Sequence, residues 1–214
     1  MSKGWALPDT GWLLATLLGL LAVTLYAIPG LDREAAQDAH RYVMTEDYNW
    51  SVAVTDAAGP LVVVLVLAVA VGGLVLRGRG TSALILATSA FSSELAVAVI
   101  KHLLQRQRPR FGAVVEASGY SLPSGHATLS VAIYGTIAIM AARATRGPTR
   151  VAILAAGLVL IAAIGVSRVL VGAHYPSDVV AGWGVGVACT TATWALLAAG
   201  TRRFARSRPV SDDR

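Results

Sequence analysis

Six stretches of this 214-residue chain run for 16 to 23 residues, each with at most one charged side chain. They are residues 10–31, 57–76, 80–100, 127–142, 151–167 and 179–201. A helix needs roughly 20 apolar residues to cross the hydrocarbon core of a bilayer, where its backbone satisfies itself. The run lengths therefore predict six transmembrane helices, the fourth at the short limit. The expected fold class is all-α, a six-transmembrane-helix bundle. Residues 1–214 form one membrane domain in this reading, and 202–214 are its basic cytoplasmic tail. Composition excludes the alternatives: 55% of residues are apolar and 14% charged, and the mean hydropathy is +0.62. A soluble domain carries about 25% charged residues, and a disordered chain is far less hydrophobic. The first run is too long for a signal-peptide core and has no small-x-small site before Pro29-Gly30, so it is read as an uncleaved span. The single cysteine, Cys189, permits no intramolecular disulfide and suggests no Cys-based metal site.

The net charge of +6 does not indicate nucleic acid, because the basic residues lie between the apolar runs, where they orient a membrane protein. With the N-terminus in the cytoplasm, 11 of the 18 Lys and Arg residues fall on the cytoplasmic side. The predicted topology is N-in and C-in, with 101–126 and 167–178 facing outward. One departure stands out. Lys101, Arg106, Arg108 and Arg110 all lie on the side that positive charge avoids, so an anion site is the expected reason.

Lys101 and Arg108 are seven residues apart, about two helical turns, and are expected on one helix face before Pro109 ends the helix. Arg106 and Arg110 then point elsewhere, towards solvent or lipid headgroups. In Pro123-Ser124-Gly125-His126, Ser124 is placed to cap the fourth span, whose free N–H groups suit an anion. Gly125 admits a ligand close to the backbone, and His126 stands at the mouth of the turn. The string from Ser167 to Asp178 lies on the same face. Asp178 is four residues after His174, within reach through one helical turn, and leaves the other ring nitrogen as nucleophile or base. Arg168 supplies a planar donor fork suited to phosphate. A zinc site is disfavoured by the surrounding cations and the missing third ligand; no cofactor and no metal are expected.

Together these segments resemble the type 2 phosphatidic acid phosphatase superfamily. Its pattern is Lys, six residues, Arg-Pro; then Pro-Ser-Gly-His; then Ser-Arg, five residues, His, three residues, Asp. Lys101 with Arg108-Pro109, Pro123 to His126, and Ser167-Arg168 with His174 and Asp178 match it in order. The resemblance covers roughly residues 60–200. It implies a metal-independent phosphatase of the plasma membrane, with its active site at the extracytoplasmic interface. Lys101, Arg108, Ser124, Gly125 and Arg168 are then the phosphate-binding residues. His174 is the nucleophile that becomes a phosphohistidine, Asp178 orients it, and His126 protonates the leaving oxygen. The partner implied is a lipid phosphate or diphosphate of undecaprenyl diphosphate, phosphatidylglycerophosphate or phosphatidate type.

Two rival readings remain at this level. The same pocket suits a lipid phosphotransferase. A non-catalytic transporter or lipid-binding protein draws its support from Glu94 inside the third span, since intramembrane carboxylates often mark ion paths. Glu94 is instead expected near the outer end of that span, under the site, bonded to or paired with a cation. Tyr42, Tyr48 and Trp50 in the loop 30–58 suit an interfacial helix at the substrate entrance.

Overall fold

Proline begins or nearly begins four of the seven helices from Pro29 onward. Proline presets the helical φ and lacks an N–H that the first turn could not use. The helices are α1 (Pro29–Thr45), α2 (Asn49–Asp56), α3 (Pro60–Leu76), α4 (Gly80–Leu104), α5 (Gly125–Arg143), α6 (Gly147–Leu170) and α7 (Pro176–Arg206). This computed structural model describes residues 14–19, 21, 26, 29–45, 49–111, 113–115 and 117–206, and no strand occurs among them. The first expected span lies largely outside the described residues, although 14–19 are helical. The tail beyond Arg206 lies outside them too.

Helices α4 to α7 are each long and apolar enough to cross a membrane. Helices α2 and α3 make a fifth only when taken as one span bent by 43°. The described residues thus carry four or five of the six expected spans. The second expected run begins at 57, but helix α3 starts at Pro60, after the turn Ala57–Gly59. The Tyr134 hydroxyl donates to the Ala57 carbonyl at that bend. Tyr134 comes from a π-helical turn, Val131–Gly135, inside α5.

Large apolar side chains such as Leu61, Val69, Phe91 and Leu158 face outward, as lipid contact requires of a spanning helix. The inner faces meet around Leu86, Ile133, Met140 and Ile164. Helix α7 packs against α4 and the start of α5, while α6 packs against α5, α2 and α1. The interfacial-helix expectation for 30–58 resolves into α1 and α2. On α1, Asp32, Ala36, His40 and Val43 are buried, at spacings of four, four and three that make one stripe. Tyr42 and Trp50 are exposed, and Tyr48 lies outside the described residues. The described residues have the all-helical architecture of a multi-pass membrane protein.

Candidate active site

Antiparallel helices bring the end of α4, the start of α5, the end of α6 and the start of α7 to one end of the bundle. A cavity of about 770 Å³ opens there, lined by Lys101, Arg108, Gly125, His126, Arg168 and His174. The two histidines, 48 residues apart in sequence, therefore share one cavity. Its walls continue along Val63, Val64 and Leu67 of α3 and Ala87, Ala90 and Phe91 of α4. A polar chamber thus runs into an apolar groove between two lipid-facing helices.

The expected common helix face for Lys101 and Arg108 is not what forms. Helix α4 stops at Leu104, where Gln105 turns left-handed at φ 48°. Lys101 stays on the last turn, and Arg108 reaches the same cavity from the following loop. The break lies at Gln105, and Pro109 keeps Arg108 itself out of the helical conformation. The loop is tied by the Arg108 guanidinium itself. Its Nε donates to the Gly119 carbonyl at 3.0 Å, Nη2 to Ser118 at 2.8 Å and Nη1 to Ala173 at 2.8 Å. Nη1 also lies 3.1 Å from His174 Nε2.

Ser124 occupies the N-cap position of α5 in extended backbone but makes no side-chain cap bond. Its Oγ is buried without a partner, a hydroxyl held available rather than spent on the helix. The Ser124 N–H donates to the Asp178 carbonyl at 2.9 Å, joining the tetrad to α7. Gly182 makes that approach possible, since a Cβ there would stand 2.6 Å from the Ser124 carbonyl oxygen. Arg168 is 4% exposed and donates from Nη1 to Thr55 Oγ1 at 2.8 Å, while its Nε has no partner.

His174 sits in the short turn between α6 and α7, which needs Gly172 at φ +76°. Its backbone N–H donates to the Arg168 carbonyl at 3.1 Å. Helix α1 braces the turn, with His40 Nδ1 2.9 Å from the Leu170 carbonyl oxygen. His174 Nδ1 lies 3.4 Å from Asp178 Oδ2, an ion-pair distance rather than a closed hydrogen bond, and Nδ1 has no nearer acceptor. With Arg108 donating towards Nε2, the proton of the neutral ring belongs on Nδ1, facing Asp178. Burial lowers the His174 pKa to about 4; Asp178 opposes the shift, and Arg108 and Arg168 reinforce it. The Arg108 pKa is also lowered, by burial first, with Asp178 pulling the other way.

Arg106 corrects the sequence reading. It faces neither solvent nor headgroups: it donates to Asp178 Oδ1 at 2.6 Å and to Asp32 Oδ2 at 2.6 Å. Burial opposes its charge, yet Asp178 and Asp32 outweigh burial and raise its pKa. Arg110 is exposed, as expected. Glu94 lines the cavity with Lys101; it forms no hydrogen bond or close ion pair among the described residues and acts on the Lys101 ammonium through space instead. Asp32, Thr55 and Arg106 escaped the sequence reading. The only local hint was an acidic residue in the first turn of α1.

The comparisons with known proteins agree with this architecture. Decaprenylphosphoryl-5-phosphoribose phosphatase of Mycobacterium tuberculosis is 35% identical over 150 residues, 67% of this chain and 76% of that protein. Phosphatidylglycerophosphatase B of Bacillus subtilis is 31% identical over 93 residues, 42% of this chain and 45% of that protein. The crystal structure of a transmembrane PAP2-type phosphatidylglycerolphosphate phosphatase from Bacillus subtilis shares the fold. Its TM-score is 0.72 at 21% identity, covering 94% of this chain and 98% of that one. The family model of the PAP2 superfamily matches residues 82–202, the segment that holds all three motifs and the helices carrying them. The chain belongs to the PAP2 superfamily.

Proposed function

We propose that this phosphoric ester hydrolase removes a terminal phosphate from a membrane lipid, either a phosphate monoester or a diphosphate, through a phosphohistidine and without a metal. The observation that carries this reading is the cavity itself. His174 Nε2 faces Arg108 at its polar end, and the walls continue as an apolar groove between α3 and α4. A phosphate head with an apolar tail matches both ends, whereas a soluble phosphate uses only one. The relatives' names support lipid substrates of polyprenyl and phosphatidylglycerol type.

In this mechanism Lys101, Arg108, Arg168, the Ser124 hydroxyl and the N–H groups at Gly125 and His126 surround the phosphoryl oxygens. Fixed donors aimed at charge that develops in the transition state supply most of the rate. His174 Nε2 attacks phosphorus as the bond to the lipid oxygen breaks, and protonated His126 gives its proton to that oxygen. Asp178 keeps the Nδ1 proton of His174 in place and balances the cationic phosphohistidine. Water, relieved of a proton by His126, then attacks phosphorus. The P–N bond breaks, and phosphate and free His174 are restored. The working topology is N-in and C-in in a bacterial plasma membrane, with the cavity at the outer interface and one membrane domain.

The test is a phosphate-release panel in detergent with EDTA present. It spans polyprenyl monophosphate and diphosphate, phosphatidate and phosphatidylglycerophosphate, beside His174→Ala. Release from at least one lipid, with a ³²P-labelled histidine trapped after alkaline quench and lost in His174→Ala, is the expected outcome. No release from any lipid, or wild-type release by His174→Ala, refutes the reading.

A further inference from the structure

One buried ion-pair network lies behind the site and joins Asp178 of the third motif to Arg106 and Asp32, two residues the motif pattern does not specify. Both oxygens of Asp178 are engaged. Oδ1 accepts from Arg106 Nη1 at 2.6 Å, while Oδ2 accepts the Tyr175 N–H at 2.9 Å and faces His174. The other arm of Arg106 reaches Asp32 Oδ2 at 2.6 Å. Asp32 is fixed in turn by Ser177, whose N–H donates to Oδ1 at 3.0 Å and whose hydroxyl donates to Oδ2 at 2.5 Å. The guanidinium lies over the rings of Tyr175 and Tyr26, 4.2 and 4.8 Å from their centroids. The Asp32 and Asp178 side chains are 1% and 0% exposed, so one cation is shared by two carboxylates that have almost no access to solvent. Such carboxylates are costly unless each keeps its partner.

We propose that Arg106 is a positioning residue for the reaction: it fixes the Asp178 carboxylate that orients His174, and Asp32 of α1 locks Arg106 into that pose. Helix α1 lies outside the segment matched by the family model, so the outer helix contributes a carboxylate to the support of the active site. The inference rests on the roles proposed above for His174 and Asp178. A guanidinium fork suits the task because it meets two carboxylates at a set angle, which an ammonium cannot do.

The charged groups around His174 set the sign of the test. Asp178 faces it from α7, Arg108 from the loop, Arg168 from α6, and His126 and Lys101 across the cavity. Arg106 acts on it through Asp178, with Asp32 behind Arg106 and the Tyr175 and Tyr26 phenols beside the guanidinium. Loss of the Arg106 charge leaves Asp178 fully negative beside His174, so protonation of the imidazole becomes easier.

The experiment measures phosphate release by the full chain in detergent micelles, on a lipid phosphate that the wild type hydrolyses. Arg106→Gln is expected to lower kcat about 10–100-fold, the range for loss of a residue supporting a catalytic group, with little change in KM. Its acid limb in kcat/KM is expected to move to higher pH. Arg106→Lys should recover part of kcat and part of the limb, and Asp32→Asn should lower kcat without raising the limb. If Arg106→Gln does not fold, the double variant Arg106→Gln/Asp32→Asn removes one charge of each sign, and the same readouts apply. Wild-type kcat in the Gln variants, or a lower kcat with an unmoved acid limb, overturns the proposal. With His174→Ala inactive, that failure touches Arg106 alone; an active His174→Ala overturns both readings.

Discussion

Asp178 Oδ2 stands 3.4 Å from His174 Nδ1, one helical turn further along the chain, and both side chains are buried. The spacing is local, but the environment is not. The imidazole is enclosed by a turn that α1 braces from one side and the Arg108 loop from the other. Burial favours the neutral ring, which is the form that has a free lone pair on Nε2. The same enclosure that lowers its pKa therefore keeps Nε2 of His174 unprotonated in mildly acidic surroundings.

Replacing Asp178 by Asn keeps the shape and removes the charge. The amide also offers an N–H to Nδ1, which favours the wrong tautomer. We expect kcat to fall by about 10²–10⁴-fold, the range seen when an orienting carboxylate or an acid–base group is lost. Steady-state phosphate release checks this, with size-exclusion elution as the control for folding.

The pH dependence follows from His174, whose pKa falls from the ordinary 6.5 to about 4. Above about 6.5 the ring is neutral in both folded and unfolded chains, so it adds no pH dependence to stability. Between about 6.5 and 4 the unfolded chain takes up a proton that the folded chain refuses, so stability declines as pH falls. Below about 4 this contribution levels off. For activity, the acid limb of kcat/KM assigned to the enzyme should lie near 4, after correction for substrate ionisation by ³¹P NMR. An enzyme limb at 6.5 after that correction contradicts the burial argument.

Arg108→Lys retains the charge and loses the fork. Ser118, Gly119 and Ala173 would each lose a donor to the carbonyl oxygen. One donor aimed at a transition state is worth about 10²–10³-fold in rate, and we expect kcat/KM to fall by about that much. The inhibition constant of vanadate, a phosphoryl mimic, should weaken in parallel. An unchanged vanadate constant would place Arg108 outside the phosphate site.

Gly182→Ala probes how the tetrad is seated. The added Cβ would stand 2.6 Å from the Ser124 carbonyl oxygen and 3.0 Å from Ala127 Cβ, with backbone on one side that cannot yield cheaply. Overpacking of this kind costs about 1–3 kcal/mol. A lower thermal-unfolding midpoint and reduced phosphate release are both expected. Wild-type values for the two together mean that α5 and α7 can separate without harm.

Much of this protein was legible before any coordinates. The long uncharged runs set the helices because a bilayer leaves few other ways to satisfy a backbone, and α4 to α7 fall where the runs lie. The members of the candidate site were readable as well, since each motif is a local string: Ser124 precedes a helix, and His174 and Asp178 are one turn apart. Three things were decided only by the tertiary structure. Arg108 reaches the cavity from a loop rather than from the helix of Lys101, because α4 ends at Leu104. Arg106 turns inward to a carboxylate 74 positions away, which no local spacing records. Glu94 lies in the cavity and acts on Lys101 through space rather than through a closed ion pair. Hydropathy and short spacings act within one helix and can be read along the chain, whereas the partner of a buried charge depends on which helix faces meet when the bundle closes.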